Sequence, residues 1–130
     1  EFSNFYKLNY KNLVLNAIEA SQQCERLDIP KIEKIINLNT LLDDFPSDRA
    51  LVFCDESDLN LPSIYSEVRA KEAMYSKWAV IIGPEGGFSK EEKNSLVKMK
   101  NILRVTLGKR ILRSDTAAIS SLFCIQSLVD

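Results

Sequence analysis

The sequence predicts an α/β fold, in which helices cover both faces of a parallel sheet. Three short apolar runs have the length of buried strands: Ala50–Cys54, Trp78–Ile82 and Ile102–Leu107. Segments with helical spacing separate these runs, and strands that alternate with helices pair in parallel. The 130 residues are enough for one domain, and neither a repeat nor a low-complexity linker interrupts them.

The region before the first strand is predicted to be helical in two places. Apolar residues recur at helical spacing over Lys11–Arg26, and Pro30 ends that pattern. A short extended piece is expected to begin at this proline. Asn39 or Thr40 is then expected to cap a short helix that ends near Phe45.

Two further helices are predicted beside the strands. After a polar loop, a helix is expected over Ser63–Tyr75. Its residues expected to face the core are Ile64, Tyr65 and Val68. After the second strand, Ser89 and Glu92 fit the Ser-x-x-Glu capping box, so a helix is predicted from there to about Lys100.

The last helix is predicted to begin near Ser114 or Asp115 and to run to about Val129. One predicted face carries Ala118, Leu122, Ile125 and Val129. Much of the remaining surface is also apolar, through Ala117, Ile119 and Phe123. A helix of this kind lies either in the centre of the core or at a subunit interface.

The composition excludes several kinds of chemistry. The chain has no histidine, which removes histidine bases, Ser-His nucleophile pairs and histidine-bound metals. Its 17 basic and 18 acidic side chains nearly cancel, so a polyanion must be held by a local basic patch. Cys24, Cys54 and Cys124 lack metal-binding spacing and are expected to be buried free thiols in a reducing compartment. We therefore expect no metal.

Targeting signals are also missing from the sequence. No apolar run approaches the ~20 residues of a membrane helix, and no signal-peptide pattern opens the chain. These features predict a cytoplasmic protein without a membrane partner. The sequence begins Glu1-Phe2-Ser3 rather than with methionine, so we expect a fragment or a processed chain.

The loop after the second strand is the first candidate site. It reads Gly83-Pro84-Glu85-Gly86-Gly87 and holds three of the four glycines of the chain. Ligands of open α/β sheets bind beyond the carboxyl ends of strands, where glycine lets them approach the backbone. The spacing matches neither a phosphate loop nor a dinucleotide fingerprint, and Glu85 would repel phosphate. A cationic ligand, or one held by backbone groups, fits better, and a tight turn without a ligand is the alternative.

The second candidate site is the segment Leu107-Gly108-Lys109-Arg110-Ile111-Leu112-Arg113-Ser114-Asp115-Thr116-Ala117. Two arginines three residues apart are followed by an acid at a helix start. This pattern indicates an arginine that Asp115 positions to meet an anion, beside an apolar wall of Ile111 and Leu112. The alternative is a basic surface loop followed by a helix that Asp115 caps.

Together the two segments resemble the signature pair of the RsmE family, the bacterial methyltransferases that modify N3 of a uridine in 16S rRNA of the small ribosomal subunit. A third similarity lies upstream. The family's Glu-Ala-x-Glu-Gln-x-x-Arg segment is similar to Glu19-Ala20-Ser21-Gln22-Gln23-Cys24-Glu25-Arg26, and its closing Val-Pro is similar to Ile29-Pro30. The resemblance covers essentially the whole chain. The chain departs from the family pattern at three positions. Asp115 stands where the family has Glu in its Arg-x-Glu-Thr pattern. In the upstream segment, Gln22 stands where the family commonly has Glu, and Glu25 where it often has Gly.

The resemblance implies a SPOUT-type fold with a C-terminal trefoil knot, S-adenosylmethionine as cofactor, and a homodimer with its active sites at the subunit interface. It also implies that residues 1–130 are the SPOUT domain without its first strand and helix, and without the family's N-terminal PUA-like RNA-binding domain. The implied cofactor-binding residues are Gly83, Pro84, Glu85, Gly86, Gly87, Leu107, Gly108, Ile111 and Leu112.

Methyl transfer from a sulfonium requires alignment and charge control rather than a metal or a covalent nucleophile. Uridine N3 must lose its proton, and a nearby cation favours the resulting anion. Arg113 or Arg110 is therefore expected to stabilise the uridylate, while Asp115 orients the arginine or accepts the proton. Two alternatives stay open: a SPOUT methyltransferase that acts on transfer RNA or on ribose, and a non-catalytic RNA-binding or dimerisation module.

Overall fold

The computed structural model describes residues 9–130, which contain five helices and three strands. The helices are α1 (Tyr10–Gln23), α2 (Leu38–Asp43), α3 (Ile64–Lys71), α4 (Lys90–Val97) and α5 (Ser114–Val129). The strands are β1 (Arg49–Cys54), β2 (Lys77–Ile81) and β3 (Ile102–Val105). Residues 38–130 belong to one compact unit, and residues 9–37 belong to a second one.

The three strands form one parallel sheet with the order β2-β1-β3. In the middle strand, Leu51 lies opposite Ala79 of β2 and opposite Ile102 of β3. The side chains from Ala50 to Phe53 are at most 3% exposed, because helices cover the sheet on both faces. The predicted α/β class and parallel sheet are therefore confirmed, while the trefoil knot stays a prediction.

The core lies on both sides of β1, since successive strand residues point to opposite faces. On one face of the sheet, side chains of β1 and β3 pack against α3 and α5; this cluster includes Ala50, Val52, Val68, Val105 and Ile125. On the other face β1 packs against α4, through Leu51, Phe53 and Leu96. This double cover explains why the strand appears in the sequence as a continuous apolar run rather than an alternating one.

The ends of the helices follow local sequence signals. The predicted capping box is present at the start of α4: the Ser89 hydroxyl accepts from the Glu92 N–H, and the Glu92 carboxylate accepts from the Ser89 N–H at 2.7 Å. A serine also caps the start of α3, where the Ser63 hydroxyl accepts from the Ser66 N–H without a reciprocal acidic side chain. Both helices end several residues before the predicted positions, because the apolar pattern continues into the turns that follow them.

Several sequence expectations are wrong in detail. Asn39 and Thr40 lie inside α2 instead of capping it, and the side chain of Tyr65 is 58% exposed. The buried residues of α5 are Ala117, Ser121 and Ile125. Of the predicted face, Ile125 is confirmed as buried, whereas Leu122 is 51% exposed. Ser121 is fully buried because its hydroxyl donates to the Ala117 carbonyl at 2.6 Å, so a small polar residue fits against the sheet.

All three cysteines are free, as predicted, but their burial differs from the expectation. Cys24 is exposed, and Cys54 and Cys124 are half-buried. Within the unit that precedes residue 38, the Tyr10 hydroxyl accepts a hydrogen bond from the Ile35 N–H at 2.6 Å, which ties the start of α1 to the irregular segment after Pro30. No helix among residues 9–130 is long and apolar enough to cross a bilayer.

Candidate functional site

A cleft of about 630 Å³ opens at the carboxyl edge of the sheet, where β1 and β2 end. Its walls are the loop after β1, the glycine loop after β2, and the chain that leads into α5. Small-molecule sites usually have volumes of roughly 300–1,000 Å³, and in open α/β sheets they lie at this edge. The cleft therefore has the size and the position of a ligand site.

The glycine loop has a structural need for glycine at two positions. A Cβ atom at Gly83 would lie 3.0 Å from the ring of Phe88, so the close approach of that ring depends on glycine. Gly87 has a φ of 77°, a value that other residues rarely adopt, and a Cβ there would meet no atom within 4 Å. Its N–H donates to the Pro84 carbonyl at 2.8 Å, which closes the turn. The loop therefore has backbone without covering side chains beside the cleft.

Most of the predicted cofactor-binding residues meet in this cleft. Those that line it are Gly83, Pro84, Glu85, Gly86, Gly87, Ile111 and Leu112. Leu107 and Gly108 line a smaller neighbouring pocket instead, together with Ile111 and Leu112. The Ser114 hydroxyl donates to the Gly83 carbonyl at 3.2 Å and so joins the two candidate segments directly.

The three predicted catalytic residues do not all lie in the cleft. Arg113 lines the cleft, Arg110 lines the smaller pocket, and Asp115 lies in the first turn of α5 outside both linings. The Arg113 Nε and Asp115 Oδ1 atoms are 3.9 Å apart, and the two side chains are 82% and 71% exposed. Arg113, not Asp115, occupies the N-cap position of α5, and Asp115 Oδ1 accepts from the Thr116 N–H at 2.9 Å.

A buried ion cluster on the sheet side of the cleft was missed by the sequence reasoning. Asp55 follows β1 directly, and its side chain is only 4% exposed. Its Oδ2 atom lies 2.7 Å from Arg104 Nη2 and 3.2 Å from Lys93 Nζ. Its Oδ1 atom accepts from the N–H and the hydroxyl of Ser57, at 3.0 and 2.6 Å. We call these four residues the Asp55 cluster.

The Asp55 cluster keeps its carboxylate ionised. Burial acts to raise the pKa of Asp55, but the hydrogen bonds from Arg104, Ser57 and Lys93 outweigh burial and lower the pKa to about 2. One signal could have revealed this residue, because Asp55 is the first polar residue after a buried strand, at the edge where ligands bind. The cations that meet it are far away in sequence and give no local signal.

The chemistry that the cleft can support follows from its lining. Glu56, Glu85 and Asp55 supply negative charge, and Lys93 and Arg113 supply positive charge. Cys54 also lines the cleft, but burial raises the pKa of its thiol, which favours the protonated form. Among residues 9–130, no group of three or more metal-binding side chains lies together. The described lining is thus suited to hold and orient a charged ligand.

The fold and the cleft define an open α/β domain with a cleft of ligand-site size at its carboxyl edge. A family model described as an RNA methyltransferase domain matches residues 3–126. The chain belongs to this RNA methyltransferase domain family, and the resemblance stated from the sequence motifs is confirmed.

Curated relatives carry one recurring name. The chain is 34% identical over 125 residues to the Ribosomal RNA small subunit methyltransferase E of Rickettsia conorii. These aligned residues cover 95% of this chain and 49% of that protein. It is 30% identical to the protein of the same name from Bacillus subtilis, over 84% of this chain and 43% of that one. The chain thus spans about half the length of the curated relatives it matches.

Solved structures with this fold include proteins with bound cofactor. A Ribosomal RNA small subunit methyltransferase E from Neisseria gonorrhoeae, bound to S-adenosyl methionine, is 26% identical with a TM-score of 0.74 and covers 97% of this chain and 52% of that one. A Legionella pneumophila methyltransferase in complex with SAM is 27% identical with a TM-score of 0.75, over 94% of this chain and 50% of that one.

Proposed function

We propose that this chain is the catalytic part of an enzyme that uses S-adenosylmethionine to methylate N3 of a uridine in 16S rRNA of the small ribosomal subunit. The observation that carries the proposal is the meeting of the two signature segments at one cleft, joined by the hydrogen bond from Ser114 to Gly83. The names of the relatives support an rRNA substrate. That substrate places the reaction in rRNA processing and the enzyme in the cytoplasm.

The cleft fits S-adenosylmethionine in its chemistry. The open space beside Gly87 lets a nucleoside approach the backbone of the loop closely, and Ile111 and Leu112 offer an apolar wall for its base. Glu85 supplies a carboxylate for the cationic groups of the ligand. When bound, this cofactor supplies a methyl group on a sulfonium, which is activated without a metal.

The protein's own contribution is to hold the uridine and to stabilise its anion. Arg113 lines the cleft, and its largely exposed guanidinium is available to the incoming base. A cation at this position favours the loss of the N3 proton. Asp115 is held at the start of α5 by its contact with the Thr116 N–H and orients Arg113 from there. Arg110, in the neighbouring pocket, is the second position from which a cation can act.

A homodimer is the second part of the proposal. Three large apolar side chains of α5 face outwards: Ile119, Leu122 and Phe123 are 69%, 51% and 71% exposed. They lie on the helix whose start carries Arg113, so a second copy that covers them would stand next to the cleft. Burial of such a patch favours association through the hydrophobic effect.

Calorimetric titration with S-adenosylmethionine tests the cofactor site. The parent chain is expected to bind, and a Gly87→Asn variant is expected to bind much more weakly. Asparagine tolerates a positive φ better than other side chains, so it strains the loop less than any other substitution while the new side chain takes up space beside the cleft. Parent and variant should unfold at similar temperatures. Binding by neither protein would refute the cofactor assignment.

Nucleoside analysis tests the reaction. Small-subunit particles that lack the modification are incubated with the enzyme and the cofactor, and their RNA is digested to nucleosides. We expect 3-methyluridine. A ribose-methylated nucleoside, or a product found only in transfer RNA, would assign the chain to another RNA, and cofactor binding without any product would favour the non-catalytic module.

A further inference from the structure

The reaction proposed above leaves the Asp55 cluster without a role. The Asp55 carboxylate is almost completely buried, yet it belongs to the lining of the cleft and of the smaller pocket. Both cations that it pairs with are about two-thirds buried: the side chains of Lys93 and Arg104 are 30% and 33% exposed. Lys93 lines the cleft itself and also donates to the Ser57 hydroxyl.

Asp55 determines the balance of charge on this wall. Its single carboxylate faces two cations, and together these three groups leave one positive charge. If the carboxylate lost its charge, Lys93 and Arg104 would leave two positive charges in a partly desolvated position beside the cleft. Interactions between charges in such surroundings are several times stronger than they are in bulk water.

The charge of the ligand also changes in the proposed reaction. S-adenosylmethionine carries a sulfonium cation at the reacting centre. When the nucleophile forms its bond to the methyl carbon, the C–S bond breaks and its electron pair stays on sulfur, so S-adenosylhomocysteine is a neutral thioether. The amine, the carboxylate and the adenosine are the same in both molecules. A positive wall therefore disfavours the substrate form relative to the product form.

We propose that Asp55 shifts the preference of the cleft towards the sulfonium form and away from the thioether product, by neutralising one of the two positive charges of Lys93 and Arg104. The inference rests on the proposed function and deepens it, because it assigns a role to a residue outside both signature segments. This shift favours the exchange of product for new cofactor after each turnover. If Asp55 served the fold alone, its loss would weaken the binding of both forms equally.

The test is the ratio of two dissociation constants, Kd for S-adenosylhomocysteine over Kd for S-adenosylmethionine, measured by calorimetry on the full chain. Groups that the two ligands share cancel in this ratio, so it reports the sulfonium charge. Because the substitution removes one unit of negative charge from a partly screened position in the lining, we expect Asp55→Asn to lower the ratio on the order of tenfold.

Lys93→Met provides the matched opposite change. It keeps the apolar stem, removes one cation and leaves Asp55 paired with Arg104, so we expect the ratio to rise by about threefold. The double variant Asp55→Asn/Lys93→Met loses one charge of each sign, so its ratio is expected to lie between those of Asp55→Asn and the parent, about threefold below the parent if the two effects add in free energy. These opposite directions cannot arise from a general loosening of the cleft.

Several outcomes would overturn the inference. If Asp55→Asn weakens both ligands equally, the inference is wrong while the proposed function stands. If Asp55→Asn does not fold, Lys93→Met decides alone, and an unchanged ratio in that variant overturns the inference. If the parent chain binds neither ligand, the proposed function fails and the inference fails with it.

Discussion

The two sides of the cleft hold their charges in opposite ways. On the sheet side, Asp55 is buried and receives hydrogen bonds from three side chains that come from its own loop, from α4 and from β3. On the α5 side, Arg113 and Asp115 are mostly exposed and 3.9 Å apart. Exposed ion pairs contribute roughly 0–1 kcal/mol, whereas a buried charge must be paired to be tolerated at all.

This difference shows which charged side chains are already paired within the protein before a ligand binds. The Asp55 cluster is satisfied within the protein, so it shapes the electrostatic potential of the cleft without having to move. Arg113 has no strong partner among the described residues and remains available to an anion from outside. We therefore expect mutations on the α5 side to affect turnover, and mutations on the sheet side to affect stability and ligand preference.

The largest effect is expected for Arg113→Gln. Loss of one positioned cation should lower kcat about 100-fold, since groups that stabilise a developing anion contribute on that order. Raising the pH should restore part of the rate, because the solvent then removes the N3 proton. Methyl transfer to small-subunit RNA gives the rate. Arg69→Gln is the matched control, because Arg69 is an exposed arginine of α3 outside both cavities. An unchanged kcat in Arg113→Gln would contradict the assignment of turnover to the α5 side of the cleft.

The second effect is the loss of stability in Asp55→Asn. Removing the carboxylate leaves two partly buried cations without their partner, and we expect the free energy of unfolding to fall by about 2 kcal/mol. Denaturant unfolding measures this value. Asp48→Asn is the control, because Asp48 pairs with Lys77 at the similar distance of 2.9 Å while both side chains are more than half exposed. The control should change stability by less than about 0.5 kcal/mol.

The third effect is the dependence of stability on pH. The folded-state pKa of Asp55 is about 2, below the value of about 3.9 for an unfolded chain. A lowered pKa stabilises the fold above the unfolded value, and this contribution disappears as the pH falls towards the folded value. Unfolding free energies of the parent and of Asp55→Asn should therefore converge between about pH 5 and pH 2. A constant difference over this range would contradict the ionised state of Asp55.

The smallest effect is expected for Asp115→Asn. An exposed pair at 3.9 Å orients Arg113 only weakly, so kcat should fall by less than about fivefold. The amide oxygen of asparagine can still accept from the Thr116 N–H, which preserves the start of α5. A loss as large as that of Arg113→Gln would instead identify Asp115 as the group that accepts the proton.

Features that depend on neighbours in sequence were predicted well. The three strands are visible because a strand buried on both faces needs apolar residues at every position, as in β1. The capping box of α4 is visible because Ser89 and Glu92 are three residues apart and bond to each other's backbone. The glycine loop is visible because backbone conformation itself requires glycine at Gly87.

Features that depend on strand order and helix packing were not predicted. Arg104 reaches Asp55 across 49 residues of sequence, because β3 pairs directly with β1. The buried face of α5 is centred on Ser121, because only one narrow face of that helix packs against the sheet. Several faces of this helix are apolar, so its sequence pattern does not indicate which of them is buried. In both cases the partner is selected by geometry that no local pattern encodes.

The amino-acid sequence by itself determined the α/β class, the strands and the two segments that meet in the cleft, because hydrophobic burial and backbone conformation act residue by residue. The tertiary structure alone decided which charges are paired and which remain free. Electrostatic interactions depend on distance in space and on burial, and the folded chain sets both. For this reason Arg113 could be predicted as a candidate from its motif, whereas the Asp55 cluster became visible only in the folded protein.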